Sequence, residues 1–71
     1  MKRYAIVVEY SGENWGAYVP DLPGCVATGD TEKEVSRLIR QAITMHLEGM
    51  IEDGLPIPEP SSRIEYVEVN A

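Results

Sequence analysis

Thr31-Glu32-Lys33-Glu34-Val35-Ser36-Arg37-Leu38-Ile39-Arg40-Gln41-Ala42-Ile43-Thr44-Met45-His46-Leu47-Glu48-Gly49-Met50-Ile51-Glu52-Asp53 is the stretch whose periodicity decides the fold. Val35, Leu38, Ile39, Ala42, Ile43, His46, Leu47 and Met50 recur at three- and four-residue spacing, drawing one apolar stripe along about six turns of helix. Lys33, Arg37, Arg40, Gln41, Thr44, Glu48 and Glu52 take the solvent side. Thr31 and Glu34 form a capping box, in which the Thr31 hydroxyl accepts from the Glu34 amide and the Glu34 carboxylate reaches back to the Thr31 amide. Gly54 stands where a left-handed C-terminal cap belongs, and Pro56, Pro58 and Pro60 prevent continuation.

Outward from the helix the periodicity switches to two. Met1 to Tyr10 reads as a strand, with Tyr4, Ile6, Val8 and Tyr10 alternating with Ala5, Val7 and Glu9. Both of its faces are mostly apolar, which predicts a central strand covered on two sides. Ser11-Gly12-Glu13-Asn14 makes a turn, and Trp15 to Val19 returns with Trp15, Ala17 and Val19 on one face, Gly16 and Tyr18 on the other. Pro20-Asp21-Leu22-Pro23-Gly24 leaves the sheet, because two prolines lack a backbone donor and Gly24 invites a positive φ. Cys25 to Thr28 is a short third strand before Gly29-Asp30. Past the helix, Leu55 to Ser62 is an extended, polyproline-like connection, and Arg63 to Val69 is a fourth strand whose alternation slips between Tyr66 and Glu68.

The fold class is therefore α+β, a single β-β-β-α-β domain over residues 1–71. An antiparallel meander followed by a right-handed crossover sets the fourth strand beside the first, giving a four-stranded mixed sheet of order 3-2-1-4 with one long helix on one face. The other face keeps apolar side chains, so another copy of the chain or a partner is expected to cover it.

Composition limits the function. A chain of 71 residues builds only a small core, and such domains lean on disulfides, metals or self-association. One cysteine cannot form an internal disulfide, and no Cys/His spacing suits zinc, so self-association, as a homodimer or homotetramer, is the expectation. Six Lys and Arg against 12 Asp and Glu give a net charge of −6 and a pI near 4.5. That balance disfavours direct nucleic-acid binding, which draws its affinity from cations on phosphates, and suits a basic protein partner. The apolar run Tyr4 to Val8 is too short for a signal peptide core or a membrane span, so the expected location is cytoplasmic, with no membrane partner.

No constellation carries catalysis. His46, the sole histidine, has no orienting carboxylate three or four residues away on its helix face. Cys25 has no cationic neighbour to activate it and reads as a small buried hydrophobe. Glu9, Asp21, Asp30, Glu34 or Glu48, and Glu68 would have to converge for a divalent-metal nuclease, yet caps, turns and solvated faces explain nearly all of them. The glycines have no phosphate-binding spacing. No catalytic, cofactor-binding or metal residue is assigned. Trp15 and Tyr18 are candidate partner anchors. Glu48 and Glu52, placed against the helix macrodipole and four residues apart, are candidate contacts for a basic partner.

The run Trp15-Gly16-Ala17-Tyr18-Val19-Pro20-Asp21-Leu22-Pro23-Gly24-Cys25, then Thr28-Gly29-Asp30-Thr31, Glu34, and Glu52-Asp53-Gly54-Leu55-Pro56-Ile57-Pro58-Glu59-Pro60-Ser61 closely resembles the HicB-like antitoxin family in order and spacing. The resemblance implies a partial, degenerate RNase H-like fold without catalysis. It also implies a protein that binds and masks a HicA toxin, a small basic ribonuclease that cleaves messenger RNA. Pro20, Asp21, Gly24, Gly29 and Thr31 match the family as residues that shape turns and the helix start, and Glu34 and Gly54 fall within the same motifs. Many members append a DNA-binding segment, whereas this sequence ends at Ala71, so direct operator binding is not expected. The second functional expectation is a HicB-like interaction or ligand-binding module without a toxin, and the third is the metal nuclease.

Overall fold

Helix α1 spans Glu32–Glu52. Its start uses the anticipated capping pair with one change of partner. The Glu34 amide donates to Thr31 Oγ1 at 3.0 Å, but the Glu34 carboxylate accepts from the Asp30 amide, also at 3.0 Å, and not from Thr31. At the other end Gly54, at φ 70°, donates to the Ile51 carbonyl and Leu55 to the Met50 carbonyl. This reciprocal pair closes the helix as a Schellman motif.

In the computed structural model, which describes residues 1–71, three short strands precede α1: β1 Val7–Tyr10, β2 Trp15–Tyr18 and β3 Val26–Gly29. They form an antiparallel meander of order β1-β2-β3, with Val7 opposite Tyr18 and Tyr18 opposite Val26. The expected alternation holds. Tyr4, Ile6, Val8, Trp15, Ala17, Val19 and Ala27 lie against α1, where Val35 and Ile39 are fully buried.

Four expectations need correction. Pairing in the first strand begins at Val7, not near Met1, because β2 ends before Pro20 and offers residues 1–6 no partner. The third strand is shifted by one residue, since Trp15 at the start of β2 pairs with Gly29. Gly29 is not a turn glycine. A Cβ there would lie 2.9 Å from Glu34 Oε1 and 3.1 Å from the Val35 amide nitrogen, so the helix start is packed against bare backbone. Finally, residues 63–69 form no strand within this chain. The 3-2-1 part of the predicted order is present, the fourth strand and the mixed sheet are not, and β1 is an edge.

The turn between β2 and β3 carries part of the core. Leu22 donates to the Val19 carbonyl and Cys25 to the Leu22 carbonyl, both at 3.1 Å. This tight path turns Leu22 inward, where it has no exposure. Six residues are buried in all: Ala17, Val19, Leu22, Cys25, Val35 and Ile39. Leu38 is only half-buried, because Ile39 points at the sheet in its place. No helix is long and apolar enough to cross a membrane.

Candidate functional site

Because α1 covers one face of the sheet, alternation leaves Val7, Glu9, Gly16, Tyr18, Val26 and Thr28 on the bare face. Strand register arranges these residues in two rows. Val7, Tyr18 and Val26 stand side by side, and Glu9, Gly16 and Thr28 form the next row. Tyr18 is 43% and Val26 63% exposed. A Cβ on Gly16 would meet nothing closer than the Ala27 carbonyl at 4.0 Å, so Gly16 leaves open space on this face. This is an apolar bar with a polar border containing one carboxylate. Its chemistry suits contact with another protein surface.

The four candidate contact residues do not share one patch. Tyr18 belongs to the bare face. Trp15 lies on the opposite face, half-buried against the core, with its ring 5.2 Å from that of Tyr10 at a tilt of 48°. Glu48 and Glu52 are exposed on the solvent side of α1, the full thickness of the domain away from Tyr18.

The potential reactive groups are also apart. Cys25 is buried, and burial pushes its thiol pKa up, keeping it protonated and unreactive. His46 is half-buried and lines a shallow depression with Cys25 and Met45. The carboxylates do not gather: no three His, Cys, Asp or Glu side chains stand close enough together to hold a metal ion.

Asp21 does more than shape its turn. Its Oδ2 accepts from the amides of Ser61 and Ser62 at 3.0 and 2.9 Å, and its Oδ1 from their hydroxyls at 3.0 and 2.8 Å. The Ser62 amide, followed by the Ser62 hydroxyl, is the main cause holding the carboxyl pKa down to about 2, with Ser61 adding to it. Lys2 bonds to Glu59 at 2.7 Å, and the Tyr4 hydroxyl donates to the Pro58 carbonyl. The proline-rich connection is thereby tied to the body at both of its sides. Sequence reading placed Asp21 in a turn and offered no signal for a partner forty residues on.

Comparison with known proteins adds a family. A family model described as "HicB_like antitoxin of bacterial toxin-antitoxin system" matches residues 4–71. The chain is 36% identical over 64 residues to an uncharacterized 14.9 kDa protein of Haemophilus phage HP1, covering 90% of this chain and 48% of that one. It is 33% identical over 70 residues to Antitoxin HicB 2 of Photorhabdus laumondii, covering 97% and 50%. The chain thus spans about half the length of these two relatives. Among solved structures, a chain of a "HicA3 and HicB3 toxin-antitoxin complex" superposes with a TM-score of 0.72 at 30% identity, over 84% of this chain and 70% of that one.

Proposed function

The chain belongs to the HicB-like antitoxin family, and from that premise we propose that it is the antitoxin of a toxin-antitoxin pair, acting by binding and masking a small basic HicA-type ribonuclease. The observation that carries this reading is the likeness, in fold and in sequence, to a chain of the HicA3 and HicB3 complex. Charge supports it. A body of net charge −6 draws in a basic protein and repels the RNA that such a toxin would hold.

Masking asks only for a surface. The bar of Val7, Tyr18 and Val26 supplies an apolar centre for such a contact, with Tyr18 as its anchor. Glu48 and Glu52, on the far side of the domain, act through the field that steers encounter. Trp15 packs beneath α1 and supports this surface from behind. In this reading the chain performs no catalysis, binds no nucleic acid directly, works in the cytoplasm and self-associates.

The test is co-expression with any small basic protein whose reading frame adjoins its gene, followed by size-exclusion chromatography with light scattering and an RNA cleavage assay. The expected result is a stable complex in which the partner no longer cuts RNA. A neighbour whose cleavage proceeds unchanged in the presence of excess antitoxin overturns the proposal. Within the complex, Tyr18→Ala is expected to weaken binding by about 1 to 2 kcal/mol, as for an interface anchor, whereas Trp15→Ala chiefly lowers the midpoint of unfolding.

A further inference from the structure

Nothing in its own chain requires Gly16 to be a glycine. The residue lies inside β2, the central strand, with β1 on one side and β3 on the other, where glycine costs backbone entropy and contributes no packing. Its backbone is not the reason, since the positive φ angles belong to Gly12, Gly24 and Gly54. No neighbour needs the room either, because a Cβ at Gly16 would find its nearest heavy atom, the Ala27 carbonyl oxygen, at an ordinary 4.0 Å. Gly29 is the contrast: there the start of α1 fills the space, with Glu34 Oε1 2.9 Å from where a Cβ would lie. A strand glycine demanded neither by its φ nor by its own fold marks a place that something from outside approaches closely.

Register sets what that visitor meets. Glu9, Gly16 and Thr28 form one row across the three strands, so Glu9 and Thr28 stand about 5 Å to either side of the gap, one strand spacing each. The result is a notch with bare backbone for a floor, a carboxylate on one wall and a hydroxyl on the other. Both walls are exposed and uncommitted. The ion pairs of the chain engage Glu59 and Glu65 and leave Glu9 alone, and the threonine hydroxyls held in hydrogen bonds are those of Thr31 and Thr44, not that of Thr28. We propose that this notch receives one cationic side chain of the basic partner, which pairs with Glu9 and donates a hydrogen bond to Thr28. The inference rests on the antitoxin reading and deepens it. A carboxylate and a hydroxyl oxygen both accept, and a guanidinium or ammonium group has only donors to give. The missing Cβ lets the aliphatic stem of such a side chain lie on the backbone of β2, while the adjoining row of Val7, Tyr18 and Val26 keeps water from the pair once the partner is seated. The bar then supplies contact area, and the notch fixes the register in which the partner docks.

The experiment measures association and dissociation rates of the full chain with the small basic protein encoded beside its gene. Gly16→Val fills the notch and is expected to raise the dissociation rate at least about tenfold, as loss of an anchor pocket does. Its unfolding midpoint should lie at or above that of the wild type, since valine suits a strand better than glycine. Gly16→Ala acts in the same direction to a smaller extent and carries the test if valine disturbs the sheet. Glu9→Gln is expected to raise the dissociation rate at least about tenfold as well, and to flatten its dependence on salt. Glu32→Gln removes the same charge from the start of α1, in the other layer, and should leave dissociation within about twofold. Dissociation of Gly16→Val and Gly16→Ala at the wild-type rate would show that the space stays empty in the complex and overturn the proposal. So would Glu9→Gln behaving like Glu32→Gln, since the group in the notch is then not a cation. A wild-type chain that binds no basic neighbour fails the antitoxin reading itself, and this inference falls with it.

Discussion

Leu22 is flanked by Pro20-Asp21 and Pro23-Gly24 and is nevertheless one of three side chains with no exposure at all, together with Val35 and Ile39. A turn thus fills the gap between sheet and helix that two layers this short leave open. Leu22→Ala is expected to cost about 2 to 5 kcal/mol, as large-to-small changes in a packed core do, read as the shift of a urea midpoint. Leu38→Ala, at a half-buried position, is expected to cost about 1 kcal/mol or less. Equal losses at the two sites would mean that the helix is rotated from the orientation described. Helical spacing made Val35, Ile39, Ala42, Ile43 and Leu47 legible as core, because a stripe of period 3.6 has only one way to face a sheet. Leu22 had no such signal. A single leucine among turn residues lacks periodicity, and its burial comes from where β2 and β3 deliver the turn. Gly29 was legible as a glycine that matters but not why, since the near contact with the Val35 amide nitrogen is a tertiary distance.

Strand faces and the helix ends followed directly from alternation and caps, whereas strand lengths did not. A strand extends as far as its neighbour can pair, so β2, which ends at Tyr18 ahead of Pro20, limits β1 to Val7. The connection from Leu55 to Ser62 was legible as extended, but its anchorage was not, because the Asp21 contacts join residues forty positions apart. These contacts predict a pH dependence. The native Asp21 pKa, about 2, lies below the ordinary 3.8, so the stabilisation is complete above about 4 and is lost as pH falls through about 2. Amide exchange at Ser61 and Ser62, corrected for its intrinsic pH dependence, is expected to rise over that window, and Asp21→Asn to raise it already at neutral pH. An unchanged exchange rate in Asp21→Asn would show that the strut is held by Lys2–Glu59 and Tyr4–Pro58 instead.

Seen whole, the molecule divides its surfaces: an apolar bar on the bare face, acids spread along the helix, and a tail beyond one edge. The family was legible from motif order, yet the four contact candidates were not a patch, because sequence places residues on elements without saying which layer faces outward. For a basic partner, the charge of −6 predicts that raising salt from about 0.05 to about 0.5 M slows association, since screening weakens steering. Tyr18→Ala is expected to act instead on the dissociation rate, and stopped-flow binding separates the two effects. The tail has a different consequence. Residues 63–69 touch almost nothing in their own body, so substitutions there leave the core's folding untouched. Among related copies of such a chain, that stretch is free to diverge without loss of foldedness, so its sequence answers to what it meets outside its own body and not to the core.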